Sequence, residues 1–264
     1  MHNENPHTAL VTGAYGAIGK AIATGLAEAG LRICLVGRDA ERLAKACEEV
    51  KHKTGNPDVF GEVVELGSKK EIGALAARWK GPLDLLINNA ATAPRQRTET
   101  AEGIETQWGV NVLSYGRMAV AMLPFMEGRR GARIVNVASY WAGGLNLEDP
   151  EFKTRRYDND AAYRQAKQAN RMLSATFARL LEPEGITVNS CHPGDVNSKL
   201  SNAFGFGGSE SPEEGAATPL FLALSTEVNG MTGRYFEHRR EVACSFSKDA
   251  ARVERLYGLC SPLF

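Results

Sequence analysis

Tyr163 and Lys167 lie four residues apart in a stretch that reads as a helix. That spacing places both side chains on one helical face. A free phenol titrates at about 10 and is a poor base at neutral pH. A neighbouring ammonium favours phenolate and lowers that value, so the pair predicts a phenol that can exchange a proton with a carbinol or carbonyl oxygen. Ser139 follows an apolar run and can hydrogen-bond the same oxygen, stabilising charge that develops on it. Asn111 lies within an earlier long helical stretch. A Tyr-x-x-x-Lys pair alone is ordinary surface-helix composition, so its meaning depends on what accompanies it.

A second group suits a phosphate. Gly13, Tyr15, Gly16, Ala17, Ile18 and Gly19 belong to Thr12-Gly-Ala-Tyr-Gly-Ala-Ile-Gly19, which joins the first apolar run to the first helical pattern. Glycines let the backbone turn sharply and approach a pyrophosphate, and the helix start offers unpaired N–H groups with a positive dipole end. The spacing is not a strict GxGxxG, and such turns also arise for steric reasons alone. The second apolar run ends Val36-Gly37-Arg38-Asp39. An arginine here accommodates the 2′-phosphate of NADP, whereas an acid holds the ribose 2′-OH of NAD. Arg38 comes first, so NADP(H) is favoured over NAD(H). Asp39 can at the same time serve as a helix N-cap.

The elements that position these residues follow from hydrophobic periodicity. Short apolar runs predict strands over 8–12, 32–36, 59–66, 83–87, 132–138, 186–190 and 234–236. Helical patterns cover 17–29, 40–53, 69–79, 105–126, 161–181 and 212–224. Strands alternating with helices imply βαβ units, and near-continuous apolar strands imply burial on both faces. The expectation is a single α/β domain over 1–264, a doubly wound parallel sheet with helices on both faces. In such sheets ligands bind beyond the carboxyl ends of the strands. Two irregular segments on that side, near 140–160 and 195–215, are candidate substrate loops.

Composition narrows the function. Lysine plus arginine number 31, as do aspartate plus glutamate, for a formal net charge of zero. A protein that holds a polyanion needs a basic surplus, so no nucleic-acid partner is expected. Hydrophobic residues at 43% and charged residues at 23% fit a globular chain with a full core. The five cysteines show no CxxC spacing and the histidines no ligand spacing, so no metal is expected. Free thiols, the lack of a signal-peptide layout and the absence of a long apolar run suggest a cytoplasmic protein without a membrane span.

Taken together, from about residue 8 to 236, these positions resemble the short-chain dehydrogenase/reductase family. The glycine turn, Asn88-Asn89-Ala90-Ala91, Asn111, Ser139, Tyr163 with Lys167, and Pro193-Gly194 occur in that family's order. The resemblance implies a Rossmann-type fold and hydride transfer to or from a nicotinamide. It maps the catalytic asparagine, serine, tyrosine and lysine onto Asn111, Ser139, Tyr163 and Lys167. In that mapping Lys167 also holds the nicotinamide ribose, and Asn111 holds a water of a proton relay. The resemblance adds Glu65 and Leu66 near the adenine, and Asn89, Ala90, Ala91, Pro193, Gly194, Val196 and Ser198 to the cofactor set. Ala17, Ala91 and Ser198 replace the family's usual glycine, glycine and threonine. The Tyr163–Asn170 segment and Thr232–Phe236 look like the retinol-dehydrogenase-like branch, which mostly prefers NADP. Relatives commonly form dimers or tetramers through the fourth and fifth helices.

Tyr140, Trp141, Phe204 and Phe206 are candidate walls of an apolar substrate pocket. Asp195 carries an unusual charge for a position beside the nicotinamide and could affect substrate choice. His192 reads as a hydrogen-bonded structural histidine rather than a base or ligand, and Lys153-Thr-Arg-Arg156 as a solvated loop rather than a lure for an acidic substrate. The expected function is an NADP(H)-dependent oxidoreductase acting on an alcohol, ketone or aldehyde, with Tyr163 as acid/base. The alternatives are a catalytically silent nucleotide sensor or scaffold, and a C=C-reducing or non-redox natural-product enzyme on the same fold.

Overall fold

The apolar runs of the sequence pair into one sheet. The computed structural model describes residues 7–129, 131–205 and 207–264. Its strands are β1 (Thr8–Thr12), β2 (Arg32–Gly37), β3 (Val59–Val63), β4 (Leu85–Asn88), β5 (Arg133–Val137), β6 (Thr187–Cys191), β7 (Tyr235–Glu237) and β8 (Arg240–Val242). They lie in the order β3-β2-β1-β4-β5-β6-β7-β8. Neighbours pair in parallel as far as β7, and β8 returns antiparallel. The chain winds outward from β1 in one direction and from β4 in the other. A crevice therefore opens beyond the carboxyl ends of β1 and β4, where the strand order reverses.

The helices are α1 (Ala17–Glu28), α2 (Ala40–Thr54), α3 (Lys69–Arg78), α4 (Ser114–Met126), α5 (Asn159–Leu181), α6 (Lys199–Ala203), α7 (Pro212–Leu224) and α8 (Ala250–Cys260). One apolar cluster joins the sheet to α1, α2 and α7, and another joins it to α3, α4, α5 and α8. This is the doubly wound Rossmann-type α/β domain expected from the alternation. Side-chain caps set several helix starts. Asp39 accepts from Arg42 N at 3.0 Å to open α2, and Ser68 accepts from Glu71 N at 3.2 Å to open α3. A Ser211–Glu214 capping box opens α7, with Pro212 in its first turn.

Three features depart from the sequence reading. The third strand leaves the sheet after Val63 rather than running to 66. Its continuation turns into the crevice, held by Gly67 N donating to Glu65 Oε1 at 3.0 Å. The helix expected over 105–126 carries a π-helical turn over Trp108–Leu113 before α4 begins. Such turns recur at functional sites, and this one contains Asn111. Finally, β8, α6 and α8 were not anticipated.

Candidate active site

The crevice holds a cleft of about 420 Å³. Its floor is the β1–α1 turn. Gly13 has φ +65°, and a Cβ there would stand 2.8 Å from Ala90 Cα, so the turn presses directly against the end of β4. A Cβ on Gly19 would stand 2.6 Å from Asn89 Nδ2. Thr12 joins the two segments: its Oγ1 accepts from Asn89 N at 2.9 Å and Ala90 N at 3.1 Å. Tyr15, Gly16, Ala17 and Ile18 complete the floor, and α1 starts there without a side-chain cap or an acidic residue in its first turn. The helix start is thus open to an anion. Arg38, Glu65, Leu66, Ala91 and Ser198 also line the cleft. These residues fit a dinucleotide.

Beyond the end of β2, Asp39 is occupied as the cap of α2, while the Arg38 side chain is largely exposed, with Nη1 3.6 Å from Glu65 Oε2. The sequence reading missed Arg42. Its guanidinium lies 4.3 Å from the centre of the Tyr15 ring, and it lines the same cleft as Arg38. Its i+4 position after Arg38, on the first turn of α2, is the signal that could have found it.

A smaller cavity of about 70 Å³ adjoins the cleft, sharing Ile18, Ser198 and Leu200 with it. Ser139 and Tyr163 both line this cavity, brought together by the end of β5 and the first turns of α5. Pro193, Gly194 and Val196 line it from beyond β6. Gly194 has φ +116°, and any Cβ there would collide with the Glu210 carboxylate. Ser139 Oγ accepts from Trp141 N at 3.0 Å. Lys167 and Asn111 stand behind this wall. Lys167 Nζ donates to Val137 O at 2.8 Å and lies 5.6 Å from the Tyr163 ring centre. Asn111 clamps the loop after β4: its Oδ1 accepts from Thr92 N at 2.8 Å, and its Nδ2 donates to Thr92 O at 2.9 Å. Ser198 turns its hydroxyl to its own helix, capping α6 by accepting from Ser201 N at 3.1 Å.

The electrostatics differ from the sequence expectation. Burial raises the Tyr163 phenol above its ordinary value; the nearby Ser139 hydroxyl opposes this without reversing it. Burial also pulls the Lys167 amine down to about 7. The sequence spacing predicts an acidic phenol next to a full ammonium. Instead, loss of hydration dominates both groups, and the amine is bonded to a carbonyl rather than to the phenol.

The Phe204 ring packs at a tilt 5.0 Å from Tyr163 and edge-on 5.3 Å from Trp141, and Tyr140, Trp141 and Phe204 all line the small cavity. Phe206 lies outside the described residues. Of the candidate loop near 140–160, the described residues lining either cavity are Tyr140 and Trp141 at its head. The rest is tied to the body of the fold, with Leu145 N donating to Gln168 Oε1 at 3.0 Å and Glu105 N to Glu151 Oε2 at 3.0 Å. The Asp149 carboxylate accepts from Lys153 N, Thr154 N and Arg155 N, and Arg155 Nη2 donates to Gln165 Oε1 at 2.7 Å. The basic run is therefore partly structural. His192 is buried; its backbone N donates to Phe236 O at 2.9 Å, and its Nδ1 has no partner among the described residues. Among the described residues no group of three potential ligands is placed to hold a metal, and no helix is long and apolar enough to cross a membrane.

The short chain dehydrogenase family profile matches residues 7–205. Retinol dehydrogenase 13 of Mus musculus is 31% identical over 268 residues, covering 94% of this chain and 80% of that protein. A solved structure from Mycobacterium paratuberculosis superposes with a TM-score of 0.82 at 25% identity, covering 98% of this chain and 95% of that one. The RhlG/NADP active-site complex of Pseudomonas aeruginosa superposes with a TM-score of 0.71 at 27% identity, covering 90% and 97%.

Proposed function

This chain belongs to the short-chain dehydrogenase/reductase family, in its retinol-dehydrogenase-like branch, and from that membership we propose that it is an NADP(H)-dependent oxidoreductase interconverting an alcohol with a ketone or aldehyde. The observation that carries the reading is the meeting of Ser139 and Tyr163 in one small cavity that opens onto the dinucleotide-sized cleft. Arg38 and Arg42 flank the place where a 2′-phosphate would lie, and Asp39 is engaged elsewhere. RhlG, of the same fold, is seen with NADP.

When bound, the nicotinamide supplies or accepts the hydride. The cofactor would be held by the glycine turn, by Asn89, Ala90 and Ala91, and by Pro193, Gly194 and Val196. Ser139 orients the substrate oxygen by donating from Oγ. Tyr163 holds the exchangeable proton at Oη, and burial keeps it there at neutral pH. Lys167 faces the phenol ring from within the wall, and Asn111 fixes the loop beside it.

The test is loss of reduced-nicotinamide absorbance with NADPH and a panel of ketones and aldehydes. Tyr163→Phe is expected to lower turnover by about 10²–10⁴-fold while NADPH still binds, the scale of a lost general acid. Full turnover in that variant would overturn the mechanism. Tight NADPH binding without turnover on any carbonyl or alcohol would overturn the enzyme reading.

A further inference from the structure

The small cavity also carries groups that the proposed reaction does not use. Besides Ser139 and Tyr163 it is lined by Tyr140, His192 and Asp195. Tyr140 and His192 meet edge to face with ring centres 4.5 Å apart, and Tyr140 Oη donates to Asp195 Oδ2 at 3.4 Å. Tyr140 is 50% exposed, so its ring is open to a ligand. Asp195 brings a carboxylate, and no lysine or arginine is among the described residues lining this cavity. Nor does any described lysine or arginine form an ion pair with Asp195.

We propose that Asp195 is a specificity-determining residue that selects carbonyl or alcohol substrates bearing a protonated amine. The inference rests on the proposed hydride-transfer reading of this cavity. An ammonium beside Asp195 gains an ion pair with it and a π-face from Tyr140. A carboxylate substrate meets repulsion from Asp195 and, further back, Glu237, whose charge reaches both Tyr140 and His192. A neutral apolar group leaves Asp195 in water and gains nothing from it. His192 does not offset the negative charge, because burial pulls it down to about 4 and leaves it neutral.

Three ketones of one shape test this: meta-acetylbenzylamine, meta-acetylbenzyl alcohol and meta-acetylbenzoate. In each reduction the carbonyl carbon gains hydride and its oxygen a proton, while NADPH is oxidised to NADP⁺. Two readouts are taken at low salt: kcat/KM with NADPH, and the Kd of each ketone for the NADP⁺-loaded protein from quenching of tryptophan fluorescence. We expect the amine to be preferred over the alcohol by about fivefold or more, the scale of a partly exposed ion pair. The carboxylate should be poorest. In Asp195→Asn the amine-to-alcohol ratio should fall toward one, and high salt should shrink it in the native protein.

A native ratio at or below one, or a ratio that survives Asp195→Asn, overturns the inference. Turnover without charge preference overturns it and leaves the proposed function standing. Absence of turnover, with amine-selective binding that Asp195→Asn abolishes, does the reverse. Absence of both overturns both.

Discussion

Lys167 shows how burial can set one side chain against stability. Its amine is fully enclosed, its exposure is 1%, and burial pulls it down to about 7 from 10.5. Below about pH 7 both folded and unfolded chains hold its proton, and folding bears the whole cost of burying the charge. Between about 7 and 10.5 the unfolded chain binds more proton than the folded one, so this contribution to stability rises with pH. Val137 O, which the amine contacts, also lies 3.1 Å from Tyr115 Oη, a donor that it shares with Ala90 O. Lys167→Met is therefore expected to raise unfolding stability at pH 6, on the order of 2 kcal/mol. The gain should fade as the pH approaches 10, while turnover collapses. Urea melts across that range check it, and a methionine variant weaker than the native protein at pH 6 would refute the argument.

Among the elements, α4 and the chain's end form an unexpected pair. A Cβ on Gly116 of α4 would run into the Phe264 ring. That ring also packs 5.6 Å from Phe177 of α5. Arg117, 2% exposed, donates from Nε to Leu263 O at 2.8 Å and pairs with Glu102 at 2.7 Å. The last turn thus anchors to α4 through a glycine notch and a buried guanidinium, while Val253, Leu256 and Cys260 of α8 complete the apolar face. Gly116→Ala is expected to cost about 1–3 kcal/mol by overpacking. The loss should be clearly smaller when Gly116→Ala is measured in a Phe264→Ala background, because the two changes act on one contact. Additive losses in chemical denaturation would mean that the ring does not fill that notch.

For the whole molecule, a ligand spanning the β1/β4 crevice touches both halves of the sheet and binds only the folded chain. It should raise the thermal midpoint according to its affinity, by about 2.7 kcal/mol of stability at a hundredfold excess over Kd. NADPH should do this at lower concentrations than NADH, because Arg38 and Arg42 line the adenosine end while Asp39 is tied to α2. Calorimetry with each nucleotide tests this, and an Arg38→Ala/Arg42→Ala double variant should bring the two curves together. Equal shifts in the native protein would contradict the preference.

Much of this was readable along the chain, because its causes are local. A short apolar run between polar residues becomes a buried strand, as with Leu85–Asn88. A cap is decided within one turn, as with Asp39 and Arg42. Tyr163 and Lys167 share a face because a helix repeats every 3.6 residues. Other features depend on distant contacts. Arg240–Val242 is exposed and charged and shows no apolar pattern, so it becomes a strand only by pairing with β7. The turn of Val64, Glu65 and Leu66 into the crevice, the stacking of Arg42 on Tyr15 and the grouping of Tyr140, His192 and Asp195 all join parts far apart in sequence. Burial depth belongs to the same class. Neighbouring residue types implied an acidified phenol beside Lys167, whereas exclusion of water by the whole fold raised the phenol and lowered the amine, since desolvation sums over every atom that surrounds a charge.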